Sequence, residues 1–264
     1  MAGNFCAVME SQLRKALADL PIGEIRYFES VGSTNDLALE WAAAGAPDFS
    51  LVLADEQTSG RGRMNRKWFT PPGAGLALSL VLRPNDFERE NIRLMTALAA
   101  LALVDALKAY NIPAQIKWPN DVVINRKKTA GVLVETAWLG LDVEALVLGI
   151  GVNVYPESVP PESELYFPAT CVQSETESQV ERLTLLCELM AELVSWRSRL
   201  GTDTFMDAWQ LSLAFCGEAV RVYGAETALI DGVLDGLEPD GSLRVVANGD
   251  RHVVHFGELS LRPL

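Results

Sequence analysis

The chain has 264 residues, enough for one large domain or for one large and one small, and 49% of them are hydrophobic. It carries 22 Lys and Arg against 35 Asp and Glu, a formal net charge of −13, which argues against sequence-independent binding to nucleic acid. Residues 1–20 are broken by Glu10, Arg14, Lys15 and Asp19, and the longest apolar runs, 97–104 and 145–150, are far too short to cross a bilayer. No membrane span is therefore expected. Cys6, Cys171, Cys187 and Cys216 are scattered and form no C-x-x-C. They read as buried or free thiols rather than disulfides or zinc ligands, which points to a cytoplasmic protein.

Val8, Leu13, Leu17 and Leu20 recur at near-helical spacing and predict a short helix over 5–20. A strand is expected over 24–31. Ser33-Thr-Asn-Asp36 offers capping oxygens to a helix over 37–44, with Gly45 just past its end. Residues 50–54 form a short apolar strand that feeds a loop of reversed charge. Between 58 and 72 stand Arg61, Arg63, Arg66 and Lys67, with no acidic residue. Gly60 and Gly62 let the backbone approach a ligand closely, and the arginines offer planar forks suited to phosphate or carboxylate. A solvated surface turn would have the same composition. The loop is not a dinucleotide fingerprint, because Asn65 stands where the third glycine of G-x-G-x-x-G belongs, and the chain has no P-loop.

Residues 75–82 read as a buried strand ended by Arg83-Pro84, and 91–110 as an apolar helix buried on more than one side. Residues 115–135 read as strand, turn, strand, turn, strand. Pro119 keeps Trp118 extended, and residues 125–128 make a basic hairpin turn of the kind that ordinarily serves solubility and edge protection. A further strand over 143–154 contains Gly149-Ile-Gly-Val-Asn153, which is no Rossmann turn because strand-like residues follow it. Residues 156–168 read as a surface loop, and 180–200 and 204–213 as helices. Short alternating strands then follow over 219–223, 227–237, 242–247 and 252–256, joined by Glu238-Pro-Asp-Gly241 and Asn248-Gly-Asp250. The change of pattern near Phe215 divides the chain into 1–215 and 216–264.

Four stretches together resemble the biotin protein ligases, and they occur in that family's order. They are Ser33-Thr-Asn35; Gln57 with Gly60-Arg-Gly-Arg63 and Arg66-Lys-Trp68; Lys117-Trp-Pro-Asn-Asp121 followed by Lys128-x-Ala-Gly-x-Leu-x-Glu135; and Gly149-x-Gly-x-Asn153. The resemblance spans residues 27–264. It implies an α+β fold, with a mixed, largely antiparallel sheet and packed helices in 1–215 and an SH3-like β-barrel in 216–264. It implies an enzyme that joins biotin to ATP as biotinyl-5′-adenylate, releases pyrophosphate, and passes biotin to a lysine of a biotin carboxyl carrier protein. Biotin contacts then fall to Ser33, Thr34, Asn35, Gln57, Gly60, Arg61, Gly62, Arg63 and Lys128. ATP contacts fall to Arg63, Arg66, Trp68, Lys117, Asn120 and Asn153. Lys128 and Arg63 are the catalytic candidates, since a carboxylate must be brought up to an α-phosphate and positive charge has to offset the repulsion. Mg²⁺ is expected on the triphosphate, with Asp121 as the carboxylate to help hold it. Trp68 reads either as an adenine-stacking platform or as an ordinary core residue.

Two departures from the family pattern stand out. The loop usually reads Gly-Arg-Gly-Arg-Arg-Gly-Arg, whereas this chain has Met64-Asn65 before Arg66. One phosphate-facing charge is lost, while Asn65 tolerates the left-handed turn conformation better than most residues. Some members begin with a winged helix-turn-helix that represses transcription; the 26 residues before Tyr27 are too few for one, so no nucleic-acid partner is expected. A lipoate-type ligase shares the architecture and the adenylation chemistry, and a sensor that binds the adenylate without turnover is a second alternative. Some members pair edge to edge through the central sheet, which leaves a homodimer open.

Overall fold

The computed structural model describes residues 2–140, 142–224 and 227–264. Its central sheet is built from β1 (Ile25–Val31), β2 (Ser50–Gln57), β3 (Gly75–Leu82), β4 (Ala114–Lys117), β5 (Asp121–Ile124), β6 (Lys127–Leu139) and β7 (Asp142–Asn153). The spatial order is β1-β2-β3-β7-β6-β5-β4; β1 and β2 run parallel and every other neighbouring pair antiparallel. The α+β expectation is met. Every residue of β3, Gly-Leu-Ala-Leu-Ser-Leu-Val-Leu, is buried, as a central strand covered on both faces requires.

Alternation along the strands sorts the two faces. Val52, Val81, Ala145 and Val147 meet Ala38, Trp41 and Ala42 of α2 (Thr34–Ala43) on one side. Leu51, Leu53, Leu78, Leu80 and Leu148 face the other side, where α4 (Leu94–Lys108) and α5 (Arg182–Arg197) lie against the sheet. Most of α4 is buried because it is sandwiched between α5 and the sheet. The first helix, α1 (Ala2–Ala16), packs along β1. No helix among the described residues is long and apolar enough to cross a membrane.

Several boundaries shift, each for a local reason. The polar segment between β3 and α4 forms a one-turn helix, α3 (Asp86–Glu90), where Asn85 and Glu88 bond reciprocally in a capping box, and α4 begins at Leu94 rather than at Asn91. Ser33 sits at the start of α2 with extended backbone but makes no side-chain cap bond, and the helix begins at Thr34 rather than Leu37. Gly45 takes φ +87 beyond the helix, as expected of a left-handed stop. The helix α6 (Asp203–Leu211) is capped by Thr202.

The second sheet contains β8 (Ala219–Gly224), β9 (Thr227–Leu237), β10 (Leu243–Ala247), β11 (Asp250–Val254) and β12 (Leu259–Pro263), in the order β11-β10-β9-β8-β12, all antiparallel. Two sheets do not mean two cores here. Val220, Val222, Leu234, Leu243 and Leu261 belong to the same apolar cluster as α4 and α5. The fully buried Trp118 donates its indole N–H to the Gly241 carbonyl at 3.1 Å and lies 5.3 Å from the Phe256 ring. The C-terminal sheet is thereby pressed against the turn that carries Lys117, Asn120 and Asp121.

Candidate active site

A buried cluster of polar side chains, the floor of the candidate pocket, forms where β2 ends, α2 begins and β3 passes beneath. The Gln57 side-chain oxygen accepts from the Thr34 amide at 2.9 Å and from the Thr34 hydroxyl at 3.1 Å, while its amide donates to Thr70 at 3.3 Å. The Ser79 hydroxyl donates to Asn35 Oδ1 at 2.6 Å and lies 2.8 Å from the Thr34 hydroxyl. Asn35 Nδ2 in turn donates to Glu135 at 2.8 Å. Ser33, Thr34, Asn35 and Ser79 are all buried. Position 149 must be glycine, because a Cβ there would collide with the Asn35 amide. Ser79 was not singled out from sequence, although it is the lone polar residue in an otherwise apolar buried strand and that interruption is its signal.

The basic loop folds as a tight hairpin over this pocket. Trp68 N–H donates to the Gly60 carbonyl at 2.8 Å and Gly62 N–H to the Arg66 carbonyl at 2.7 Å. A Cβ on Gly60 would run into the Trp68 carbonyl. The tip, Arg63–Asn65, is a 3₁₀ turn in which both Met64 and Asn65 are left-handed, at φ 57 and 56. Asn65 behaves as its side chain allows; Met64 adopts the same conformation without that advantage. Arg61 pairs with Asp36 at 2.6 Å and with both oxygens of Glu135 at 2.8 and 2.9 Å. Arg63 donates to Asn120 Oδ1 at 3.1 Å and to the Gly257 carbonyl of the C-terminal sheet. Arg66 lies over the Tyr166 ring at 5.0 Å, and Lys67 is exposed. The Trp68 indole spreads over Gly131 and Gly151, and a side chain at position 151 would strike it. Its ring is 5.4 Å from the Lys128 ammonium.

The Arg61–Glu135 pair holds the base of the hairpin, but its tip gathers Arg63, Arg66 and Lys67 around Gly62 and should fray when no anion is bound. Limited proteolysis is expected to cut between Arg61 and Lys67, and biotin with ATP to suppress cleavage several-fold. Equal cleavage with and without both ligands would refute this.

The third element is a buried charge cluster on the β5–β6 hairpin. Asn125 and Arg126 are left-handed, at φ 47 and 65, and form the turn. The Lys128 backbone is clamped to the chain at Pro168 and Thr170 by bonds of 2.7 and 2.9 Å. Lys128 Nζ is 2.6 Å from one Asp121 oxygen, and the buried Lys117 Nζ is 3.1 Å from the other. Burial alone would raise the Asp121 pKa; the Lys128 and Lys117 ammoniums outweigh it and hold the carboxyl well below its ordinary range. Burial lowers Lys117, with the Asp121 charge opposing. Lys127 points elsewhere, to Glu175 at 3.8 Å, as alternation along a strand demands. Asn120 Nδ2 donates to the Val132 carbonyl at 3.0 Å and Asn153 Nδ2 to the Thr170 carbonyl at 3.1 Å.

Asp121 was expected to help hold magnesium, and its surroundings do not fit that role. Two ammonium groups face its two oxygens, whereas a hard dication needs free oxygen ligands without adjacent positive charge. Among the described residues no three His, Cys, Asp or Glu side chains are grouped as a metal site.

A buried cluster of amides and hydroxyls and a cluster of arginines and lysines thus share one mixed seven-stranded sheet, and the comparison with known proteins gives the class: biotin and lipoate protein ligases. Residues 27–153 match the Biotin/lipoate A/B protein ligase family. The biotin–[acetyl-CoA-carboxylase] ligase of Paracoccus denitrificans is 36% identical, over 86% of this chain and 96% of that one. The bifunctional ligase/repressor BirA of Bacillus spizizenii is also 36% identical, over 81% of this chain and 71% of the relative. The solved biotin protein ligase from Aquifex aeolicus in complex with biotin and ATP superposes with a TM-score of 0.79 at 30% identity, covering 91% of this chain and 99% of that one. The chain belongs to the biotin protein ligase family.

Proposed function

We propose that the chain is a biotin–[biotin carboxyl carrier protein] ligase that performs both half-reactions in the site described above. The relatives named for this activity support it. The observation that carries it is the placement of the Lys128–Lys117–Asp121 cluster near the Thr34–Asn35–Gln57 cluster through Trp68, whose ring lies 5.4 Å from the Lys128 ammonium and whose backbone bonds Gly60, which packs on Gln57. Ser33, Thr34, Asn35 and Gln57 surround the ureido ring of biotin. Gly60 and Gly62 let the loop backbone close on it. Lys128 faces the biotin carboxylate, and with Arg63 it draws the ATP α-phosphate toward that carboxylate.

A carboxylate oxygen attacks the α-phosphorus, the bond to the bridging oxygen breaks, and pyrophosphate leaves. Electrostatic preorganisation is the main catalytic device, because the lysines and arginines are already in place and need little rearrangement as charge builds. Arg66, Lys117, Asn120 and Asn153 hold the nucleotide, with Trp68 against the adenine face. In the second half-reaction the acceptor lysine amine attacks the acyl carbon and AMP leaves, so the chain needs no nucleophile of its own. A divalent cation carried in with the triphosphate as part of the substrate would neutralise some of its charge. The partner is a biotin carboxyl carrier protein in the cytoplasm, with no nucleic acid or membrane involved.

The test is pyrophosphate release from ATP with biotin, followed by mass analysis of a carrier domain for an added biotinyl group. Turnover with biotin is expected, and little or none with lipoate. Tight binding of biotin without pyrophosphate release would mark a sensor, and turnover with lipoate alone would mark the other branch of the class.

A further inference from the structure

The last residue of the Lys128-x-Ala-Gly-x-Leu-x-Glu135 stretch has no part in the chemistry above, yet it is the most heavily bonded carboxylate at the mouth of the site. One Glu135 oxygen receives Asn35 Nδ2 at 2.8 Å and Arg61 Nη2 at 2.8 Å; the other receives Arg61 Nη1 at 2.9 Å. Arg61 is the residue between the two loop glycines, and Asn35 belongs to the buried polar cluster. A single side chain on β6 therefore ties the hairpin to that cluster. Asp36, next to Asn35 on α2, completes the enclosure of Arg61 at 2.6 Å.

This arrangement changes what Arg61 can do. Both terminal nitrogens of its guanidinium are spent on carboxylates, and its one charge faces two negative ones. A second anion would not be attracted there. Asn35 is likewise oriented: its oxygen accepts from Ser79 and its amide donates to Glu135 and, at 3.4 Å, to the Leu133 carbonyl, which fixes which end of the amide is the acceptor and leaves that oxygen with capacity for one further donor.

We infer that Glu135 is a positioning residue for biotin binding, holding Asn35 in its accepting orientation and using Arg61 as a strut that keeps the loop closed, rather than Arg61 serving as an anion ligand. The inference rests on the biotin-ligase reading. It assigns Glu135 to the biotin half of the site only, because neither Glu135 nor Arg61 bonds to Lys117, Lys128, Asn120 or Asn153.

Glu135→Gln keeps the size and one accepting oxygen but removes the charge that grips Arg61. It is expected to raise the KM for biotin about tenfold or more, the usual scale for losing a charge-assisted, bidentate pair in a partly buried setting. The KM for ATP should stay within about twofold, and kcat for pyrophosphate release within about threefold. Biotin should no longer protect the loop between Arg61 and Lys67 from protease at concentrations that protect the parent chain. Arg61→Gln removes the strut but leaves the Asn35–Glu135 bond, so its KM for biotin should rise by no more than that of Glu135→Gln, and the double variant should be no worse than Glu135→Gln alone. KM does not depend on the folded fraction of the sample, so partial unfolding cannot mimic this split. Wild-type KM for biotin in Glu135→Gln, an equal rise in KM for ATP, or additive losses in the double variant would each overturn the inference. If the parent chain itself releases no pyrophosphate, the functional reading fails and not merely this assignment.

Discussion

Replacing Lys128 with Met is expected to slow biotinyl-adenylate formation by at least about tenfold, and toward 10²–10³ if Lys128 is the main preorganised donor. The substitution removes the charge and keeps the length. In the structure the ammonium stands at the convergence of Asp121, the Trp68 ring and the open backbone of Gly131. That is a confined place where a point charge acts strongly on developing negative charge. Lys127→Met is the control. It belongs to the same turn but reaches Glu175, away from the site. Its effect should be confined to stability and stay under about 0.5 kcal/mol. Pyrophosphate release and thermal unfolding, measured on both variants, decide the matter. Full rate in Lys128→Met, or equal losses in the two, would show that this hairpin is a solvated turn and nothing more.

Asp121→Asn is expected to cost more stability than any surface substitution, about 3–5 kcal/mol, because it leaves the buried Lys117 ammonium without its partner and Lys128 with a weaker one. For a chain of this size the melting temperature should fall on the order of 10 °C. The pH dependence follows from the signs. The Asp121 carboxyl is held below its unfolded value, so its contribution is fully present above the ordinary carboxylate range, near pH 4, and is lost as pH falls further. The asparagine variant should lack that acid-limb loss. Lys117 is shifted the other way from a surface lysine, downward by burial. Without Asp121 it can relieve the penalty by releasing its proton, so the variant should regain stability as pH rises toward 10. Adding Lys117→Met to Asp121→Asn should recover much of the loss, since a well-packed apolar side chain replaces an unpaired charge. Denaturant unfolding between about pH 2 and pH 10 tests all of this. A variant within about 1 kcal/mol of the parent at pH 7 would mean that water already relieves the cluster.

Much of the molecule is legible in local patterns. The strands that flank the site alternate or run apolar, the turns at 125–126 and 248–249 carry left-handed residues, and Gly45 closes α2 as its type suggests. β12 carries little strand signal of its own, because its five residues end in Arg-Pro and become a strand only when β8 pairs with them. The division near Phe215 is visible as a change of rhythm, yet Trp118 and Phe256, 138 positions apart, turn the two sheets into one apolar cluster. No local pattern encodes such a contact.

The site divides in the same way. The amino-acid sequence by itself determined which residue types could meet an anion and a polar ring: glycines where the backbone must come close, arginines and lysines in an otherwise acidic chain, and an Asn, a Thr and a Gln beside helix and strand ends. It also determined the family, because four separated motifs in one order are far more specific than any one of them. Only the tertiary structure decided how the charges are shared. Arg61 is paired with Glu135 and Asp36, from β6 and α2, and Asp121 is enclosed by two lysines and unsuited to magnesium. The physical reason is that a residue type sets the charge a side chain can carry, whereas its role depends on which opposite charges lie within a few ångströms and on how much water remains. The Arg61 pairs join segments 25 and 74 positions apart, and the turns between β4, β5 and β6 fold Lys117 and Lys128 back onto Asp121.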